Sequence, residues 1–78
     1  MPPPADKRNI FKLNEWAQRN QSTVVYTPSS FVNDQNVTTW IVTVTINGVT
    51  YATTTSDRKG DAADKAAWLT LQILNNSA

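Results

Sequence analysis

Between Trp40 and Thr55 the chain reads as a hairpin, and no other stretch limits the possible folds as tightly. Trp40, Val42, Val44 and Ile46 alternate with Ile41, Thr43 and Thr45, the period-two pattern of a strand with two unlike faces. Asn47-Gly48 follows, the pair best suited to a type I′ turn, because both central residues need a positive φ. Val49, Tyr51, Thr53 and Thr55, alternating with Thr50, Ala52 and Thr54, form the returning strand. Upstream, Val24-Val25-Tyr26-Thr27 is a short β-prone run, expected to stop at Pro28. Residues 29–36, rich in Ser, Asn, Asp and Gln, read as a loop.

Helical periodicity brackets these strands. From Asn9 to about Asn20, Ile10, Leu13, Trp16, Ala17 and Asn20 fall on one stripe, and the Asn9 side chain is placed to cap the helix. The opposite face carries Phe11, Lys12, Glu15, Gln18 and Arg19, where Phe11 is the odd member. From about Asp57 to Leu74, with Ser56 or Asp57 as cap and a second possible start at Asp61, Ala62, Ala66, Thr70, Ile73 and Leu74 lie on one side, flanked by Ala63 and Ala67. These small residues permit close approach to a sheet. The expected fold is therefore α+β, in the order α-β-β-β-α. A three-stranded antiparallel sheet is covered on one face by two helices, with the Thr-rich side of the strands facing water. Residues 1–8, Pro-rich and then charged, read as a flexible tail, 9–75 as the domain and 76–78 as a frayed end.

At 78 residues the chain makes one domain, and its apolar supply, including three Trp, is enough for a core. It has no Cys and no His, which excludes disulfides, a Cys nucleophile, a His base and Cys/His zinc sites. No apolar run approaches the ~18 residues that span a bilayer, and no signal-peptide core follows Pro2-Pro3-Pro4. An intracellular protein, cytoplasmic or nuclear, is expected, without membrane contact. The carboxylates Asp6, Glu15, Asp34, Asp57, Asp61 and Asp64 show no catalytic dyad. Asp57, Asp61 and Asp64 read as caps and surface charge in preference to a weak hard-cation site. No enzyme activity, cofactor, metal or small-molecule substrate is expected. The formal net charge of +1 is low for a nucleic-acid binder, although a local patch can still be basic.

The order of elements, with Leu13-Asn14-Glu15-Trp16-Ala17, Tyr26, Trp40-x-Val42-x-Val44, Gly48, Ala66-Ala67, Leu71 and Leu74 at their spacings, resembles the double-stranded-RNA-binding domain family. The resemblance runs from about Ile10 to Leu74. It implies a domain that reads A-form duplex by shape, touching two successive minor grooves and the intervening phosphates. In that family the first helix enters one minor groove. The turn between the first two strands, usually Gly-Pro-x-His, enters the next, and a Lys-Lys-x-Ala-Lys cluster opening the last helix clamps phosphates. Here Glu15 sits at the family's minor-groove Glu, with Phe11 one turn before it and Asn14 beside it. The strand turn reads Ser30-Phe31-Val32-Asn33-Asp34-Gln35-Asn36, and the lysine cluster reads Lys59-Gly60-Asp61-Ala62-Ala63. Arg58 and Lys65 can partly replace the missing lysines, while Asp61 and Asp64 bring repulsion.

These departures lead to a first expectation of a non-catalytic module, degenerate in its RNA motifs, that binds a protein partner or itself, with weak or no RNA binding. Its interface candidates are Trp68 and Leu69, off the core stripe of the last helix, and Thr53 and Thr55 on a strand that can offer an open edge. For Trp68 a second reading stays open, that it folds back over the domain edge or the tail. The alternative function is shape-specific binding of double-stranded RNA. It would run through the first helix and the start of the last, with Phe11, Asn14, Glu15, Arg58, Lys59 and Lys65 as contacts. A purely structural domain inside a longer protein is the third.

Overall fold

The computed structural model describes residues 8–76, so most of the expected tail and the last two residues of the expected frayed end lie outside it. The elements are α1 (Arg8–Arg19), β1 (Val24–Val32), β2 (Thr38–Ile46), β3 (Val49–Ser56) and α2 (Lys59–Asn76). The strands form one antiparallel sheet in the order β1-β2-β3, and the α-β-β-β-α fold is as expected. Asn47 and Gly48 both have positive φ, 52° and 84°, as a type I′ turn demands.

The covered face of the sheet presents Val24 and Tyr26 from β1, Trp40, Val42, Val44 and Ile46 from β2, and Ala52 and Thr54 from β3. Leu13 of α1 and Ala62, Ala66 and Ala67 of α2 complete the core with no exposed surface of their own. Three alanines at the contact let the α2 backbone come close to its neighbours. Because α2 packs on both the sheet and α1, its buried arc is wide. It takes in Leu71 and Leu74 in part and turns Ile73, expected in the core, partly outward at 41% exposure.

Four local features differ from the sequence reading. First, β1 runs through Pro28 to Val32, and Pro28 pairs with Val42. β1 is an edge strand, half of whose N–H groups face away from the sheet, so a residue lacking one is tolerated there. The loop shrinks to the residues around Asn33, whose Oδ1 accepts from the amides of Gln35 (2.8 Å) and Val37 (3.1 Å). Second, the β2–β3 register slips between Val44 and Thr45, leaving Tyr51 as the extra residue of a bulge. Tyr51 packs against the core from there, and Ala52 and Thr54 turn inward. Thr54, expected among the wet threonines, donates its hydroxyl to the Ala62 carbonyl instead and so joins β3 to α2. Third, α2 begins at Lys59, and Ser56 Oγ accepts from the Arg58 amide (3.5 Å).

The fourth concerns the start of α1. Asn9 does not cap with its own side chain; it is buried at 2% exposure and donates. Its amide N–H and its Nδ2 reach the two carboxylate oxygens of Asp64 at 3.2 and 3.0 Å, and the Ile10 amide reaches Oδ1 at 3.4 Å. The cap of α1 is therefore a side chain of α2, 55 residues away. The carboxylate meets free N–H groups and the positive end of the α1 dipole together. Asp64, expected on the surface, is buried at 4% exposure. The Tyr26 phenol oxygen is also buried and has no hydrogen-bond partner among the described residues. Burial, and then the negative charge of Asp64, push its pKa up to about 12.

Candidate nucleic-acid interface

Three segments meet at one end of the molecule. The register aligns Ser30, Trp40 and Ser56 across the sheet, so the β1–β2 turn and the β3–α2 connection leave from the same end. Lys59 opens α2 there, with Nζ 6.0 Å from the centre of the Trp40 ring, the outer reach of a cation–π contact. The Asp64 cap fixes the start of α1 beside the second turn of α2. The outer face of α1, the β1–β2 turn and the first turn of α2 are thus held by the sheet register and one buried carboxylate.

On α1, Phe11 and Asn14 are exposed and Glu15 is half-buried. Glu15 lies 3.8 Å from the guanidinium of Arg19, one turn on, an exposed pair worth about 0.3–0.5 kcal/mol at most. Lys12, also exposed, stands next to Phe11 on the polar face of α1; it is not among the contacts that the family resemblance implies, although helical period alone puts this cation there. Arg58 and Lys59 are exposed at the start of α2. Cations are disfavoured by the dipole at that end, so their presence is not explained by helix stability. Lys65 is placed differently: it is half-buried and its Nζ donates to the Thr55 carbonyl at 2.7 Å, anchored on β3. Asp64 faces the N-terminus of α1, which removes one of the two expected sources of phosphate repulsion from the surface.

The protein-interface candidates lie elsewhere. Trp68 is half-buried and Leu69 is 38% exposed. Leu69 and Ile73 follow Lys65 at four-residue spacing, on the line of α2 that Lys65 ties to β3. Thr53 and Thr55 are exposed, and the Thr53 hydroxyl lies 3.3 Å from that of Thr43 on the neighbouring strand. Among the described residues no group of three or more His, Cys, Asp or Glu could hold a metal, and no helix is long and apolar enough to cross a membrane.

Fold and surface together define a small α-β-β-β-α domain whose exposed cations, among the described residues, lie on the two helices and at Arg58 just before α2. The family model for the double-stranded RNA binding motif matches residues 10–74, and the chain belongs to that family, a non-catalytic binding domain. Among solved structures it is similar to the solution structure of the second dsRBD of HYL1. The two share 25% identity with a TM-score of 0.66, over 90% of this chain and 99% of the other. No curated protein matches the chain.

Proposed function

We propose that this domain binds double-stranded RNA by shape, through the outer face of α1 and the start of α2. The observation that carries the proposal is the Asp64 cap, which joins the two helices where their exposed polar and cationic side chains lie. Glu15 and Asn14 accept from ribose 2′-hydroxyls, which favours RNA over DNA. Arg58 and Lys59, with Lys12, meet phosphates. Lys65 contributes at most at long range, because its ammonium is held at β3. This reading places the protein inside the cell, in cytoplasm or nucleus, and needs no cofactor.

Electrostatics sets the affinity scale. With about three phosphates neutralised, binding should weaken about 40-fold between 50 and 200 mM salt. Anisotropy titration of an RNA duplex long enough for two minor grooves, against a DNA duplex of the same sequence, tests this. The expected result is salt-sensitive binding to RNA, with Arg58→Ala and Lys59→Ala each flattening the salt slope by about one. Equal affinity for DNA, or no RNA binding at low salt, overturns it.

A second reading, binding a protein partner or self-association, is favoured by the apolar side chains of Leu69 and Ile73 beside β3, whose outer edge has no neighbouring strand among the described residues. Thr53 and Thr55 would supply the edge and Trp68 the flank. Sedimentation at rising concentration tests the self-association arm. A dimer lost on Leu69→Glu supports it, and a monomer at every concentration ends it.

A further inference from the structure

We propose that Phe11 is a stacking platform for one unpaired base, so that the domain prefers an RNA duplex interrupted by a bulge to a perfect one; this rests on the RNA-binding reading above. Phe11 is 65% exposed, more than any other large apolar side chain among the described residues. Among the described residues it lies outside the packed core, since α1 turns Leu13 and Ala17 inward and packs Ile10 and Trp16 against the core.

Its surroundings indicate what it takes. Lys12, Asn14, Glu15 and Gln18 are polar, and all reach the same outer surface of α1. The other exposed large apolar side chains among the described residues lie on other elements: Val25, Phe31, Val32 and Val37 on the β1–β2 hairpin, Val49 after the tight turn, Leu69 and Ile73 on α2. A protein interface is built around a contiguous apolar centre. One ring among hydrogen-bonding and cationic groups has instead the size and chemistry to receive one base. Asn14 and Glu15, three and four residues on, stand beside the ring and can meet the edge of that base, and Lys12 can meet a flanking phosphate.

The shape of the RNA supplies the discrimination. A perfect A-form stem offers α1 a shallow minor groove of ribose hydroxyls and base edges, where every base face is already stacked. A bulged nucleotide exposes a face, and stacking that face on an aromatic ring strengthens binding on the order of tenfold.

The test uses the full chain and two RNA hairpin stems that differ by a single bulged nucleotide carrying 2-aminopurine. The bulged stem should bind on the order of tenfold tighter, with the fluorophore quenched on binding. Phe11→Ala should remove both effects, costing the bulged stem on the order of tenfold more affinity than the perfect stem, and Phe11→Tyr should restore the preference, since it keeps the ring. The thermal midpoint of Phe11→Ala should match the parent, because the side chain is exposed. Equal affinity for the two stems, or a Phe11→Ala loss shared equally by both, overturns this inference and leaves the RNA reading standing. No binding to either stem overturns both.

Discussion

Replacing Asp64 with alanine should loosen α1 from α2 and bring the domain close to unfolding at physiological temperature. The carboxylate accepts from the Asn9 amide, from Asn9 Nδ2 and, more weakly, from the Ile10 amide. Asn9 is buried, so two of these donors have no route to bulk water once the acceptor is gone. A buried donor left unsatisfied costs about 1–3 kcal/mol, and the favourable meeting of the charge with the α1 dipole adds about 0.3–1 kcal/mol. The expected loss is about 3–5 kcal/mol, against a total stability of roughly 4–12 kcal/mol for a domain of this length. At about 4–8 °C per kcal/mol, the thermal midpoint should fall by more than about 12 °C.

Three variants separate the cap from a simple packing defect. Asp64→Asn keeps shape and one acceptor oxygen and should cost less than Asp64→Ala. Asn9→Ala removes donors at the other side of the same contact. The pair Asn9→Ala and Asp64→Ala should then be non-additive, with a coupling energy of about 1–3 kcal/mol by denaturant unfolding. Hydrogen exchange at the Asn9 and Ile10 amides should speed up in Asp64→Ala before the rest of the domain does. If Asp64→Ala shifts the midpoint by less than about 3 °C, or the cycle is additive, the reasoning that the two helices are joined by this carboxylate is wrong.

The remaining expectations are smaller. The Tyr26 phenol is held up at about 12, above its ordinary 10.0, by burial and then by Asp64. Between those values the unfolded chain gives up this proton and the folded chain keeps it, so stability should fall as pH rises from 10 to 12 and be unaffected below 10. Urea midpoints at pH 8 and pH 11 check this; Tyr26→Phe should remove that share of the loss and cost little at pH 8, since the phenol oxygen has no partner among the described residues. Asn47→Ala should cost about 1–2 kcal/mol by urea unfolding, because it removes the exposed hydrogen bond that Oδ1 accepts from the Thr23 amide at 2.9 Å and puts a residue less tolerant of αL than Asn at φ 52°. Gly48→Ala should cost about 1 kcal/mol through its φ of 84° alone, since a Cβ there would meet nothing within 4 Å.

What the sequence discloses depends on how far each residue's partner lies along the chain. The β2–β3 hairpin is readable because its signals are local: alternation from Trp40 to Ile46 and a turn pair whose φ values follow from residue type. The continuation of β1 past Pro28 is not, since tolerance of that proline follows from the edge position of β1, a property of the whole sheet. Thr54 looks like its neighbours Thr53 and Thr55 until the bulge at Tyr51 sets which of the three turns inward. At the candidate interface, helical period alone places Phe11 and Lys12 on the outer face of α1, and both are exposed; Asn14 enters only through the family resemblance, and it too is exposed. The period could not show that Lys65 has an acceptor on β3, or that Asp64 is withdrawn from the surface by Asn9, 55 positions earlier.

Those two withdrawals shape the electrostatics of the whole domain. None of the three strands contains a charged residue, so every described charge lies on the helices or on the connections at Asp34, Asp57 and Arg58. A polyanion therefore finds its attraction on α1 and the start of α2, and the open face of the sheet, with Val25, Thr27, Ile41 and Thr43, offers it none. Arg19 is already shared with Glu15 and Lys65 with Thr55. With few cations left for phosphate, their relative placement matters more than their number, and that placement passes through the α1–α2 joint. Asp64 touches no RNA in this arrangement, yet Asp64→Asn should weaken RNA binding beyond its effect on folding. Compared at a temperature where both proteins are fully folded, its affinity should still be several-fold lower than the parent's. Equal affinities there would mean that α1 and α2 contact RNA independently, and the cap would then be a matter of stability alone.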